Sequence, residues 1–145
     1  MAFIAEPPQV LEPGPFFGWP QKRTIMSCIK KKGILLVRYF LFRSALFSVY
    51  LHNLKTSDEN RAQHDHPWSF VTILLSSGYY EYTPRGKFWR PQFSILWRPA
   101  EWQHRLKLVK PCWTLVFRFA RRRDWGFFAP TGFVNWKLYQ QEMCD

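Results

Sequence analysis

Cysteine is scarce and unpaired in this sequence. Cys28, Cys112 and Cys144 lie far apart along 145 residues, with no Cys-x-x-Cys pair. That leaves no disulfide framework and points to free thiols in a reducing compartment. The opening MAFIAEPPQV has neither a basic start nor an apolar centre and is not expected to act as a secretory leader. No apolar run reads as a membrane span. The greasiest stretch, 33–51, contains Arg38 and Arg43, each costly in hydrocarbon, so it reads as two strands. The chain is expected to be soluble and cytoplasmic. Acidic residues are few: 10 Asp and Glu stand against 21 Lys and Arg, for a formal charge of +11. This balance favours an acidic partner such as nucleic acid, a phosphorylated sugar or an anionic surface. The plain alternative is a basic face that only aids solubility. No internal repeat is visible.

What is abundant is flat and apolar. Hydrophobic residues make up 47% of the chain and aromatics 19%, including eight Trp and 14 Phe, so a core or an interface is built from large rings. The length suits one domain around one core. Pro7, Pro8, Pro13, Pro15 and Pro20 make residues 1–20 an extended arm that Phe16, Phe17 and Trp19 could pin to the body or to a second subunit. Residues 21–33 are basic, with Lys22, Arg23 and Lys30-Lys31-Lys32, and read as a short helix or loop. The chain thus divides into an arm, 1–33, and a folded body, 34–145.

In the body, 34–42 and 46–54 read as strands about a Ser44-Ala45 turn. On the second, Leu46, Ser48, Tyr50 and His52 share a face, and His52, alone there, reads as a hydrogen-bonded structural residue. Residues 55–63 (KTSDENRAQ) form a polar loop whose Asp58, Glu59 and Arg61 are candidates for ligand contact. Further strands are expected at 71–75, 79–83, 93–98, 102–109 and 112–119, with 79–83 pairing back on 71–75. Thr83-Pro84-Arg85-Gly86 has Pro second and Gly fourth, as a type I turn prefers. Arg118 and Arg121-Arg122-Arg123 gather at the end of the last strand, and 135–143 reads as one or two helical turns. About nine short strands with turns at this spacing argue for an all-β barrel or sandwich.

The chemistry centres on His64-Asp65-His66. Residues two apart on a strand project from one face, so the two imidazoles can converge on one ion while Asp65 turns away. Imidazole suits zinc, iron, copper and nickel. Pro67 then ends or bends the strand. Further on, Trp102, His104, Leu106 and Leu108 alternate with Gln103, Arg105 and Lys107, which turns His104 inward among apolar residues. A histidine placed there needs a partner, and a metal would be one.

His64, His66 and Gly78, followed by Pro99 and His104, resemble the paired motifs of the cupin superfamily over residues 45–119. The chain departs from that pattern at Val71, where the first motif has its Glu, and at Glu101, where the second has a Gly. Asp58 and Phe93 replace the opening glycines, and Leu108 the closing Asn. The resemblance implies a double-stranded β-helix, the cupin jelly-roll barrel, with a Pro-rich N-terminal arm and a short C-terminal helix or turn. It also implies one divalent transition metal (Fe, Zn, Mn or Ni) on His64, His66 and His104.

Glu81 is the further candidate ligand or supporting base. If Ser77-Gly78 is a two-residue hairpin loop, Leu74 pairs with Glu81, and both face outward when Val71 faces in. A bulge beside Gly78 reverses the parity and brings Glu81 into the cavity. Tyr80, Tyr82 and Arg118 are candidates for substrate contact.

Three functional readings follow. The first is a metal-binding cupin acting on or binding a small, anionic molecule. The second is a metal-free nucleotide-sugar epimerase or isomerase, with His64 or His104 as base and Tyr80 or Tyr82 as acid. The third is a basic binding module for nucleic acid or another acidic partner, using the Arg121 cluster and interleaved aromatics. A homodimer is expected, since the chain has more large aromatics than its core readily hides, and no membrane partner. Catalysis and a storage or sensor role both fit the first reading.

Overall fold

The computed structural model describes residues 11–26, 33–57 and 62–139. Its elements are β1 (Glu12–Gly14), β2 (Gly18–Met26), β3 (Ile34–Arg43), β4 (Phe47–Leu54), β5 (Gln63–His64), β6 (Phe70–Leu74), β7 (Tyr79–Thr83), β8 (Gly86–Arg90), β9 (Ile95–Arg98), β10 (Arg105–Leu108), β11 (Cys112–Phe119), β12 (Gly126–Ala129) and β13 (Gly132–Asn135). Helical residues 136–139 close the described part of the chain.

Seven strands form one antiparallel sheet in the order β1-β2-β3-β4-β11-β6-β9. Two three-stranded sheets, β10-β7-β8 and β13-β12-β5, form the opposing layer. A single antiparallel bridge between His64 and His104 stitches these two together. Alternation of apolar and polar residues decides which side of each strand is buried. On β6 the buried residues are Phe70, Thr72 and Leu74, and on β7 they are Tyr79, Glu81 and Thr83. Phe70, Leu74, Tyr50, Leu54 and Val116 of the large sheet meet Tyr79, Leu106 and Phe127 of the other layer in one core.

The strands expected on either side of Ser44-Ala45 are present as β3 and β4, and no helix among the described residues is long and apolar enough to cross a membrane. Two expectations are corrected, and the condition set on Val71 is not met. Residues 21–26 are not loop or helix but belong to β2, whose backbone pairs with β3 from Gln21 to Met26, with a register shift between Ile25 and Met26. The strand 79–83 does not pair back on 71–75. Both edges of β6 are already taken, by β11 and β9, so the chain crosses to the opposite layer and β7 pairs with β10 and β8 instead. Val71 does not face the interior; it is the half-buried outer residue between Phe70 and Thr72.

The turn expected at 83–86 is present. Thr83 pairs with Gly86, the Thr83 hydroxyl accepts from the Arg85 amide at 3.1 Å, and Gly86 adopts φ 127°, a conformation that suits glycine. Gly78 is demanded by packing rather than by its dihedrals. A Cβ there would lie 2.4 Å from the Arg90 carbonyl oxygen and 2.6 Å from the Trp89 ring. Pro7, Pro8, Cys28, Lys30-Lys31-Lys32, Asp58, Glu59, Arg61, Cys144 and the end of the expected C-terminal turns lie outside the described residues.

Candidate metal centre

The backbone itself brings His64 and His104 together. His64 N donates to His104 O at 2.9 Å and His104 N donates to His64 O at 3.0 Å, so their Cα atoms face each other across the bridge. His66, two residues on, is tied by its amide to Ala100 O at 3.0 Å, which holds the segment extended past the end of β5. The three imidazoles form a near-equilateral group, with ring centroids 5.1 Å (64–66), 5.0 Å (64–104) and 4.8 Å (66–104) apart. One ring nitrogen from each lies within 4.8 Å of the other two. All three side chains are buried.

Asp65 points away from this group, as the period of two requires, and anchors the segment from behind. Its carboxylate accepts from Gly126 N at 2.8 Å and from the Arg123 guanidinium, while its own amide donates to Gly126 O at 3.1 Å. Gly126 is needed for the pairing of β12 with β13, since a Cβ would stand 2.2 Å from the Val134 carbonyl oxygen.

Glu81 faces the interior and is fully buried. It does so without the hairpin bulge, because β7 takes its register from β10 and β8, where Glu81 stands opposite Leu106 and Phe88. Its Oε2 accepts from His104 Nδ1 at 2.7 Å and from Arg98 Nε at 3.0 Å. Its Oε1 accepts from Arg98 Nη2 at 2.6 Å and Arg90 Nε at 3.0 Å, and the Trp102 indole adds a 3.3 Å contact to Oε2. Burial alone would raise the Glu81 pKa, but hydrogen bonds and charge from His104 and Arg98 outweigh it and hold the carboxyl well below the usual range. An ionised Glu81 only accepts, so His104 keeps a proton on Nδ1; with that ring neutral, its Nε2 lone pair faces His66 Nε2 at 3.2 Å. Burial, then the neighbouring His104 and His64, hold the His66 pKa well below its ordinary value and keep that ring neutral. Glu81 therefore orients a histidine and is not one of the converging group. Arg90, Arg98 and Trp102, which sequence reading missed, complete its shell. The signal was an inward parity for Arg98 at the end of β9, legible only once the strand pairing is known.

Aromatic rings wall the site. Phe70 lies against His66 at 4.7 Å, and Phe127 and Trp125 lie 6.0 and 6.3 Å from His64. With Val71 turned outward, β6 meets the histidines through Phe70 and, beside His104, Thr72. A small cavity beside His104, bordered by Thr72, Tyr79 and Thr114, has a volume of about 10 Å³, room for about one water.

Other candidates fall elsewhere. Tyr80 and Tyr82 cannot share the interior with Glu81, because successive strand residues alternate; both lie on the outer face of β7. The expected acid of a metal-free epimerase is therefore missing from the histidine group. Arg118 lies on the inner side of β11, in register with Phe70, and donates from Nε to the Tyr50 hydroxyl at 2.8 Å. Its three neighbours do not form a joint basic patch. Arg121 meets Asp124 (2.8 Å), Arg122 meets Glu101 (3.1 Å) and Arg123 meets Asp65. His52 is buried and accepts from Arg38 Nε at 2.9 Å, as a structural histidine should. Cys112 is free and buried, with burial pushing its thiol pKa up.

No family model and no curated protein matches the sequence. Solved structures do match. The Fe(II) form of HppE superposes with a TM-score of 0.55 at 11% identity, over 76% of this chain and 60% of that one. This chain thus spans less than two thirds of that protein. The polyketide cyclase RemF from Streptomyces resistomycificus gives 0.55 at 12% identity, over 70% and 78% of the two chains. KdgF from Halomonas sp. gives 0.51 at 10% identity, over 61% and 82%. Such likeness speaks for architecture, and together with the two packed antiparallel layers it identifies the fold: this chain is a cupin-type double-stranded β-helix with three histidines buried together in its interior.

Proposed function

We propose that this protein binds one divalent transition metal on His64, His66 and His104 and uses it on a small anionic molecule. The observation that carries the reading is the convergence of three imidazoles, with His104 fixed by an ionised carboxylate through its far nitrogen. Metal-ligating histidines have this arrangement, because the outer hydrogen bond sets the tautomer and raises ligand basicity. A neutral His66 fits the same demand. When bound, such a metal supplies a Lewis-acid centre or, for iron, redox chemistry. HppE, a structural relative, is known in an Fe(II) form.

The chain's own residues supply the rest. Glu81 holds the proton on His104 Nδ1, and Arg98 and Arg90 hold Glu81. Phe70, Phe127 and Trp125 exclude water. An anionic ligand is supported by the inner face of the large sheet, where Arg38 and Arg118 flank Tyr50, with guanidinium carbons 4.6 and 5.8 Å from the ring centre. Arg38, chiefly through burial, has its pKa lowered to about 9.

Elemental analysis of the purified protein, before and after incubation with Fe(II), Zn, Mn or Ni, tests the reading. Close to one equivalent per chain is expected, collapsing in His64→Ala and His104→Ala. Failure of every metal to load the wild-type chain would remove it.

A further inference from the structure

The outer face of the β10-β7-β8 sheet carries a pattern that the histidine site does not use. Strand register sets Arg105, Tyr82 and Lys87 in one cross-strand row, and Lys107, Tyr80 and Trp89 in the next. Three cations and three rings thus share two rows of one sheet face. Lys87 Nζ lies 4.2 Å from the Tyr80 ring centre and 5.6 Å from that of Tyr82, and Arg105 Cζ lies 3.8 Å from the latter. Tyr80 and Trp89 pack at 4.9 Å. Trp89 is 47% exposed, Lys87 and Lys107 are exposed, and Tyr80, Tyr82 and Arg105 are half-buried.

A face needing only internal support would pair its cations with carboxylates across the strands. This one does not. Positions 79–90 and 105–110 contain a single acidic residue, Glu81, and it points into the core. The described acids outside that core are paired with other cations: Glu12 with Lys22, Asp65 with Arg123, Glu101 with Arg122 and Asp124 with Arg121. Among the described residues, therefore, no carboxylate pairs with Lys87, Arg105 or Lys107, and their charge lies beside flat rings.

We propose that this face binds single-stranded nucleic acid, with phosphates at Lys87, Arg105 and Lys107 and bases against Trp89 and the tyrosines. The ligand must offer both a repeated anion and flat apolar groups. An acidic peptide supplies the first and lacks the second, and a duplex hides its base faces in its own stack. Base–aromatic stacking tolerates any sequence, so little base preference is expected. The surface lies on the outside of the barrel, and its use is independent of the metal.

Fluorescence anisotropy of the full chain with labelled single-stranded DNA and RNA of mixed sequence, and with the matching duplex, tests this. Single strands should bind at least tenfold more tightly than the duplex. Trp89→Ala should weaken that binding about tenfold or more. Lys87→Gln with Lys107→Gln should reduce the slope of log affinity against log salt by about 1.4, or about 0.7 for each lost phosphate contact. Trp89 packs against Gly78, so if the Trp89→Ala variant misfolds, the exposed lysine pair decides the matter. Duplex bound as well as single strand, an unaltered salt slope in the lysine variant, or equal displacement by polyglutamate at matched charge would each overturn the proposal.

Discussion

Glu81 Oε2 and His104 Nδ1 lie 2.7 Å apart in the protein interior, and this contact joins the electrostatics of the barrel to the geometry of its histidines. Arg98 grips the same carboxylate from the opposite layer, through Nε at 3.0 Å and Nη2 at 2.6 Å. Removing the carboxylate leaves a buried guanidinium without its counter-charge and frees His104 to change tautomer. Glu81→Ala is expected to cost about 3–5 kcal/mol in urea unfolding. Glu81→Gln keeps the volume and should lower metal affinity by about 10- to 100-fold without abolishing binding. Metal titration of the Gln variant checks this; wild-type affinity would mean that Glu81 does not orient the ligand.

Arginines 121 to 123 should differ sharply despite being adjacent. Arg121 and Asp124 form an exposed pair, so Arg121→Ala is expected to fall within about 0.5 kcal/mol of wild type. Arg123 compensates the buried Asp65, and Arg123→Ala should cost about 3 kcal/mol or more and reduce metal loading by loosening the His64-Asp65-His66 segment. Equal stability of the two variants in parallel denaturation curves would refute the assignment.

Stability of the metal-free protein should depend on pH in two windows. His52 accepts a hydrogen bond from Arg38, and burial, then that guanidinium, holds its pKa well below 6.5. The unfolded chain takes up this proton below about pH 6.5 while the folded chain does not, so stability falls as pH is lowered through that value, by up to about 1.4 kcal/mol per pH unit for each such histidine. His66 acts in the same direction. Glu81, whose folded pKa is depressed, contributes stability that is lost as pH falls below its ordinary value of 4.5. Urea midpoints at pH 7, 6 and 5 in wild type and His52→Gln would show the first window, and an identical slope in both proteins would exclude His52 from it.

The outer face of the large sheet is unusually aromatic. Tyr39 stacks on Trp113, Phe47 packs on Phe117 and Phe119, and Trp97 meets Phe119 at its edge. Trp97 and Ile95 remain 53% and 71% exposed. Such a surface suits a second copy of the chain, and light scattering at micromolar concentration should give twice the chain mass. Trp97→Lys with Ile95→Lys should return it to one. A single-chain mass for the wild type would leave this face without a dimer role.

Local chemistry along the chain determined much of this. Strand periodicity alone put His64 and His66 on one side and Asp65 on the other, and alternation at 102–109 turned His104 inward. Arg38 and Arg43 argued for strands over an apolar helix at 33–51, as β3 and β4 are, and Pro84 and Gly86 marked the β7–β8 turn. These signals act over a few residues, through side-chain direction and backbone torsions, so they survive without knowledge of the fold. Pairing between distant strands does not. Because β6 is filled on both edges by β9 and β11, β7 crosses to the other layer, and only that crossing decides that Glu81 faces in while Tyr80 and Tyr82 face out. The same holds for Arg98, Arg123 and Gly126, whose partners lie 17, 58 and 61 residues away along the chain. A charge has no preferred partner until the tertiary structure sets the distances, and burial then makes one choice far stronger than the rest.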